Sequence, residues 1–213
     1  MLDQFSVSHC DSDLAEVIGL LIGDGCVSKY VSACRIRFEI AFTGNLSEFN
    51  YYRTFVKPTI ERHFPLRGRL ILRGDNTVRL HYVSTRLASF FLSIGLPLGK
   101  KTDASIPEFV RRSGQLVPFV RGFYHAEGSL YRRYSKRFAG HSRVYNNLMV
   151  IQFRCKLKTL MTELRTLLSQ LGLGPNRIGE KDGVYTFRIT SQERIRRFLR
   201  LVEPRYKKTL PDG

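Results

Sequence analysis

The chain is short of acids, short of cysteine and without a long apolar run. Aspartate and glutamate number 18 against 35 lysines and arginines, leaving a net charge of +17 at pH 7 and a pI of about 10.2. That imbalance fixes no fold, but it points to a polyanionic partner. The four cysteines, Cys10, Cys26, Cys34 and Cys155, form no CxxC pair and no Cys/His spacing of a zinc site. They read as reduced thiols inside a cell, buried as small hydrophobes. The apolar run from Val17 to Ile22 is far below the ~18–20 residues that span a bilayer. No basic segment leads into a hydrophobic stretch with a cleavage site, so no secretory leader is expected. Nor is there a glycine-rich nucleotide loop, and no Ser/His/Asp set stands out.

What remains is a globular, arginine-rich chain. Hydrophobic content is 43% over 213 residues, enough for one sizeable core or for two lobes of about 100 residues each. Arginine supplies 25 of the 35 basic residues. Its planar fork binds phosphate or a guanine edge at two points, whereas lysine is a point charge.

An internal repeat organises the chain. VIGLLIGDG (17–25) and VRGFYHAEG (120–128) align without a gap at an offset of 103, pairing Gly19 with Gly122, Asp24 with Glu127 and Gly25 with Gly128. The segments after the two copies run in parallel. CRIRFEIAFT alternates as a strand should, LSEFNYYRTFVKPTIERHF is helical, LRGRLILR and TVRLHYVS flank a GDN turn, and Ser84-Thr85 opens a helix. In the second half SLYRRY and RVYNNLMVIQFRC read as strands, Leu157 to Leu171 as a helix, NRIGE and VYTFRIT as a hairpin around KDG, and SQERIRRFLRLV as a closing helix. Each half is α-β-β-α-β-β-α, an α+β arrangement. The lobes are expected at 1–98 and 116–213, with 99–115 as a linker containing a short helix at IPEFVRR. The C-terminal EPRYKKTLPDG reads as a basic, frayed tail.

The helix over Leu14 to Asp24 is apolar on nearly every side and must be buried on nearly every side. Gly19 and Gly23 lie four apart on one face, as do Gly122 and Ala126, so two backbones can approach closely there. The economical arrangement packs the copies side by side and parallel, Gly19 near Gly122, with their C-terminal ends together. Asp24 and Glu127 then share one place, facing the negative ends of two helix dipoles. An acid followed by glycine is also the ordinary mark of a helix end, with glycine supplying a left-handed turn. Two copies at matched positions in a strongly basic chain favour divalent cations between the acids, in the oxygen environment that suits Mg²⁺.

These two stretches resemble the paired signature motifs of a LAGLIDADG homing endonuclease of the single-chain, two-motif, archaeal intron-encoded type. The likeness covers almost the whole chain, although Ile22 and His125 stand where the family often has Asp. The resemblance implies two pseudo-symmetric lobes joined at the motif helices, each with a four-stranded antiparallel sheet for the DNA major groove. It implies Asp24 and Glu127 as metal ligands, with the Gly23 and Ala126 carbonyls in support. Two or three divalent ions are implied, Mg²⁺ first, with Mn²⁺ or Ca²⁺ substituting in binding. It further implies cleavage of both strands of a long asymmetric site to leave short 3′ overhangs. A basic or polar residue is expected beside the metals in each half. In the second half this is Lys156, with Lys158 as fallback; in the first it falls at Gly44 or Asn45, and since Gly44 lacks a side chain, Asn45 or Thr43 is left.

Strand alternation supplies DNA-reading candidates independently of the family. Cys34, Ile36, Phe38, Ile40 and Phe42 form one phase, and Arg35, Arg37, Glu39, Ala41 and Thr43 the other. The polar phases continue with Arg67, Arg69 and Arg73; with Thr77, Arg79 and His81; with Gln152 and Arg154; and with Thr186, Arg188 and Thr190. Arg177 and Lys181 join them from the last hairpin. Arg, Gln and Glu pair with base edges. A solvated sheet face usually mixes signs, and these strands are mostly cationic. Lys29, Tyr30, Arg132, Arg133 and Lys136 at the tips extend the footprint. His63, His125 and His141 are expected to be structural or surface groups.

The expected protein is a Mg²⁺-dependent, sequence-specific double-strand DNA endonuclease. It is expected to be monomeric, intracellular and DNA-associated (cytoplasm or nucleoid), with no membrane partner. The alternative is a maturase binding intron RNA, or a non-catalytic nucleic-acid binder, on the same scaffold. A basic ribosomal or architectural protein would give no reason for duplicated buried helices ending in acids.

Overall fold

The computed structural model describes residues 9–133, 136–138, 141–143 and 148–205. Each half opens with a motif helix and continues as a mixed helix and strand unit. The first half runs α1 (Ser12–Asp24), β1 (Gly25–Ser32), β2 (Arg35–Asn45), α2 (Phe49–Tyr51), α3 (Lys57–His63), β3 (Arg69–Leu72), β4 (Thr77–Val83) and α4 (Thr85–Ser93). A short α5 (Glu108–Arg112) lies in the connection. The second half runs α6 (Leu116–Glu127), β5 (Gly128–Arg133), β6 (Lys136–Phe138), β7 (His141–Arg143), β8 (Leu148–Cys155), α7 (Lys158–Gln170), β9 (Gly179–Lys181), β10 (Val184–Ile189) and α8 (Gln192–Val202). Two four-stranded antiparallel sheets result, ordered β1-β2-β4-β3 and β5-β8-β10-β9. β6 and β7 form a separate ribbon that carries Lys136 and His141 and has no counterpart in the first half. No helix among the described residues is long and apolar enough to cross a membrane.

α1 begins two residues earlier than periodicity indicates, because the Asp11 carboxylate accepts from the Leu14 N–H at 2.8 Å and caps the helix. From Leu14 to Ile22 every residue is buried. The partner surface is α6. A Cβ on Gly19 would collide with the Phe119 carbonyl and lie 2.9 Å from the Phe123 nitrogen. A Cβ on Gly122 would collide with the Glu16 carbonyl and lie 2.9 Å from the Leu20 nitrogen. A Cβ on Gly23 would collide with that of Ala126. The two backbones therefore touch along one in-register seam, which no larger side chain could enter.

The glycines that end the motif helices do not serve as left-handed caps. Gly25 and Gly128 have extended backbones, with φ −96° and −89°. A Cβ would collide with Leu21 at the first and Tyr124 at the second. The chain leaves each helix directly into a strand, and glycine is the residue that clears the last turn.

At the other end of the seam lies a buried acid. Glu16 is 0% exposed. Its carboxylate accepts from Tyr51 Oη at 2.9 Å, from Arg121 Nη1 at 3.1 Å and from Arg205 Nε at 2.9 Å. Arg121 lies on α6 and Arg205 just beyond α8, so both lobes and the C-terminal segment meet on one carboxylate. Arg205 also covers the Phe55 ring at 4.0 Å and reaches Asp13 at 2.9 Å. His125 is buried beside this network, 4.8 Å from the Tyr51 ring and 3.8 Å from Glu16 Oε1. It faces the interior of the seam and not its acidic end.

Several sequence expectations need correction. Cys26 and Cys34 are exposed, and only Cys10 and Cys155 are buried. Cys34 sits in the β1–β2 turn at φ +59°, and Ile36, in the apolar phase of β2, is 55% exposed. The hairpin extends past the end of the core, so alternation there no longer reports burial. The stretch after β2 is helical without a break from Leu46 to His63, as a 3-10 turn (Leu46–Glu48), α2, a π-helical turn (Tyr52–Val56) and α3 in succession. β3 is shorter than LRGRLILR and leaves Arg67 and Arg73 outside it, beside Glu61 at 3.2 Å and Asp75 at 3.8 Å. Residues 144–147 of the expected RVYNNLMVIQFRC strand and residues 206–213 of the tail lie outside the described residues.

Gly122→Ala is expected to lower stability by roughly 1–3 kcal/mol, because the colliding atom is backbone and cannot rotate away. Urea unfolding of the variant measures it, and unchanged stability would mean the helices are not in contact at this point.

Candidate metal centre and nucleic-acid interface

The site grows from the open end of the helix seam. α1 ends on Asp24, which is exposed, and α6 on Glu127, which is half-buried. A Cβ on Gly23 would lie 3.2 Å from Glu127 Cγ, so the last turn of one helix touches the acid of the other. Among the described residues no group of three or more His, Cys, Asp and Glu is arranged to hold a metal ion. Carboxylates, carbonyls and water are the donors a hard divalent cation takes, and Gly23 lines a cleft together with Glu127.

One residue at this site was not among the sequence candidates. The Lys101 ammonium donates to the carbonyls of Ile22 and Gly23, each at 2.6 Å, and of Leu21 at 3.3 Å. It thus satisfies the Ile22 and Gly23 carbonyls at the end of α1, is a second donor to Leu21, whose carbonyl already accepts from the Gly25 N–H, and sets a positive charge against the negative end of the helix dipole. Burial pushes Lys101 below its usual pKa; the charges of Glu127 and, less strongly, Cys155, Asp24 and Cys26 oppose that. It lies in the connection that sequence reading treated as a linker. The available signal was a Lys-Lys pair at 100–101 in a chain whose basic residues are mostly arginine.

The surroundings of the two acids differ. On the second-half side a cleft of about 500 Å³ is lined by Gly23, Lys101, Glu127, Arg154, Cys155 and Lys156, among others. Lys156 is exposed into it directly after β8, whereas Lys158 begins α7 with its ammonium 6.0 Å from the Tyr185 ring. On the first-half side the volume that a side chain at Gly44 would take is filled by the Glu48 carboxylate and by Tyr52, whose hydroxyl lies 2.9 Å from that Cβ position. Asn45 is engaged as a helix cap, its Oδ1 accepting from the Ser47 N–H and hydroxyl, both at 3.0 Å. Thr43 is exposed on the sheet face, paired with Arg79.

The strand registers place most reading candidates on one face of each sheet. In the first half Arg35, Arg37, Glu39, Ala41 and Thr43 alternate with the core residues Ile40 and Phe42. His81 lies between Ala41 and Arg69 across the sheet, and Arg79 between Thr43 and Ile71. Glu39 is tied to its neighbours, accepting from Arg79 Nη2 at 3.0 Å and lying 2.9 Å from His81 Nδ1. In the second half Gln152 pairs with Arg188, and Arg154 with Thr186. A concavity of about 460 Å³ on that face is lined by Gln152, Arg154, Arg177, Lys181, Thr186 and Arg188, with Glu180 and Asp182 also contributing.

Known proteins share this architecture. The family model of a LAGLIDADG-like domain matches residues 115–203. That match spans the C-terminal lobe. The first lobe lies outside that match, and no curated protein sequence matches the chain. Among solved structures, the homing endonuclease I-DmoI in complex with DNA and Mn superposes with a TM-score of 0.65 at 21% identity, over 92% of this chain and 98% of that one. The LAGLIDADG meganuclease I-AabMI bound to uncleaved DNA gives 0.60 at 12% identity, over 91% and 83%. A mutant of I-SmaMI gives 0.59 at 12%, over 92% and 85%. The whole chain therefore has the two-lobe LAGLIDADG fold.

The cysteines give a check on this geometry. Burial, with the Glu127 charge adding, pushes the Cys155 thiol up to about 11, and burial pushes Cys10 up to about 11. At neutral pH both stay protonated and unreactive. A disulfide reagent added to native protein is expected to titrate Cys26 and Cys34 quickly and the other two only on unfolding. Rapid modification of Cys155 would show that the wall of the cleft is open.

Proposed function

We propose that this protein is a divalent-metal-dependent, sequence-specific endonuclease that cuts both strands of a long, asymmetric DNA site and leaves short 3′ overhangs. One observation carries the reading: two carboxylates stand together at the C-terminal ends of parallel helices, between two sheets whose outer faces are predominantly cationic. For folding alone, acids at that place are a poor choice. Both lobes lie in one chain, so a monomer suffices to address two dissimilar half-sites.

Asp24 and Glu127 would hold the metal ions, with Mg²⁺ the physiological candidate, and the Gly23 and Ala126 carbonyls would support them. Gly23 already accepts from Lys101, and a carbonyl oxygen has a second lone pair to offer. Bound there, such ions supply water activation and stabilisation of the leaving oxygen in phosphodiester hydrolysis. The chain's own residues do the rest. Lys101 and Lys156 hold positive charge where the scissile phosphate would lie, Lys101 fixed by three carbonyls and Lys156 free to follow the substrate. The sheet arginines neutralise flanking phosphates and set the register of the duplex. The first-half site has no lysine at the position after β2, so Lys101 is the cation that serves the Asp24 side.

Asp24→Asn and Glu127→Gln are each expected to lower cleavage about a thousand-fold or more while leaving duplex binding largely intact, in keeping with the several kcal/mol that bound metals contribute. Lys101→Ala and Lys156→Ala are expected to slow cleavage, on the order of a hundred-fold, more than they weaken binding. The assay incubates purified protein with a genomic or randomised DNA library in Mg²⁺ or EDTA and sequences the cut ends. Recurrent cuts at one long site, lost in EDTA and in the acid variants, are the expected result. An acid variant that cuts normally would overturn the site. Binding should also weaken steeply with salt, and a flat response would overturn the nucleic-acid reading.

A further inference from the structure

On the outer face of the second sheet, the geometry points to a donor-only reading head, formed by Gln152 and Arg188 and fixed by Tyr131, that selects guanine in the half-site under the C-terminal lobe. This rests on the DNA-binding reading of the sheets and names what one part of that surface recognises.

Gln152 lies in the middle of β8, opposite Arg188 of β10 and Ser129 of β5. Its amide oxygen accepts two hydrogen bonds, from Arg188 Nε at 2.8 Å and from the Tyr131 hydroxyl at 3.1 Å. The arginine decides the orientation. A guanidinium has N–H donors and no acceptor, so the group it meets at 2.8 Å must be the amide oxygen and not the amide nitrogen. With both lone pairs of that oxygen in use, the amide has only its NH₂ left to offer a ligand. Arg188 spends one N–H on Gln152 and keeps the four on its terminal nitrogens.

An unconstrained glutamine reads adenine, accepting from N6 and donating to N7. That pairing needs the amide oxygen, which Arg188 and Tyr131 occupy here. What is left is a row of donors, and the base edge that offers two acceptors and no donor in the major groove is guanine, through N7 and O6. The row lies one residue past the Gly128 that leaves the motif helix, so the base concerned is near the centre of the site. The first sheet has no equivalent: at the corresponding place β2 carries Ala41 opposite His81, and the acceptor Glu39 is tied to Arg79 and His81.

The test selects binders from a duplex library randomised across a full site, using the full chain, and sequences what is retained. Wild type is expected to show one guanine near the centre of the C-terminal half, preferred roughly 10-fold or more over other bases. Gln152→Glu keeps the shape and both hydrogen bonds but replaces the outward NH₂ with an acceptor. It is expected to lose that guanine and gain cytosine or adenine, whose exocyclic amino groups donate. Tyr131→Phe frees one lone pair of the amide oxygen and is expected to relax the guanine preference toward adenine, which an amide with a free acceptor can also read. The same guanine in Gln152→Glu, or retained duplexes with no base preference in that half, would overturn this inference and leave the DNA-binding reading standing. Failure of the wild type to retain any duplex would overturn both.

Discussion

Two helices that touch backbone to backbone set every other relation in this molecule. Gly19 and Gly122 admit no side chain between α1 and α6. Each glycine costs about 1 kcal/mol of helix propensity, and the contact they allow holds the helices parallel and in register. Register is what matters for the site. Because the copies are aligned residue for residue, the acids that end them arrive at the same height, and a slip of one residue would rotate one carboxylate by about 100° away from the other. The glycines after them then turn both chains straight into strands, so each sheet begins where its acid ends.

The seam carries acids at both ends, and the protein treats them oppositely. Glu16 is fully buried and surrounded by Arg121, Arg205 and the Tyr51 hydroxyl, which draw on both lobes and the C-terminal segment. A buried carboxylate with that set of partners is a fixed structural charge, and removing any one partner would leave the others uncompensated. Asp24 is exposed and Glu127 lines a cleft instead, where Lys101 bonds the helix carbonyls beside them. The same helix pair is thus closed by a buried ion cluster at one end and opens beside a cleft at the other.

The large plan of the fold was legible because it is written in local patterns. Helix periodicity, strand alternation and turn residues repeat at a fixed offset, and the repeat itself marked Asp24 and Glu127. What escaped depends on distant chain segments. Glu16 looks like an ordinary polar residue near a helix start until Arg205, 189 residues away, is known to lie on it. Lys101 comes from a connection with no periodicity, and only the folded path brings it to the end of α1. Alternation also misled where the core stops. Ile36 and Cys34 continue the apolar phase of β2 past the last residue with anything to pack against. A glycine after an acid at a helix end has the same signature whether it is a left-handed cap or, as at Gly25, a residue required for clearance.

The two halves share a backbone plan and differ in side-chain chemistry, and the differences fall at the functional surface. Beside Asp24 the end of β2 is closed by Glu48 and Tyr52 around Gly44, whereas beside Glu127 the matching region holds Cys155, Lys156 and Arg154 in an open cleft. Across the sheets the first lobe ties an acid to an arginine and a histidine, and the second ties an amide to an arginine. Seam residues cannot drift this way, since each is in contact with its counterpart and a change in one must be met by the other. Outward residues have no such partner within the protein. A single chain holding both lobes frees them to diverge, and on the nuclease reading that divergence is what lets one molecule address a site whose halves differ in sequence, with unequal surroundings for the two strands it cuts.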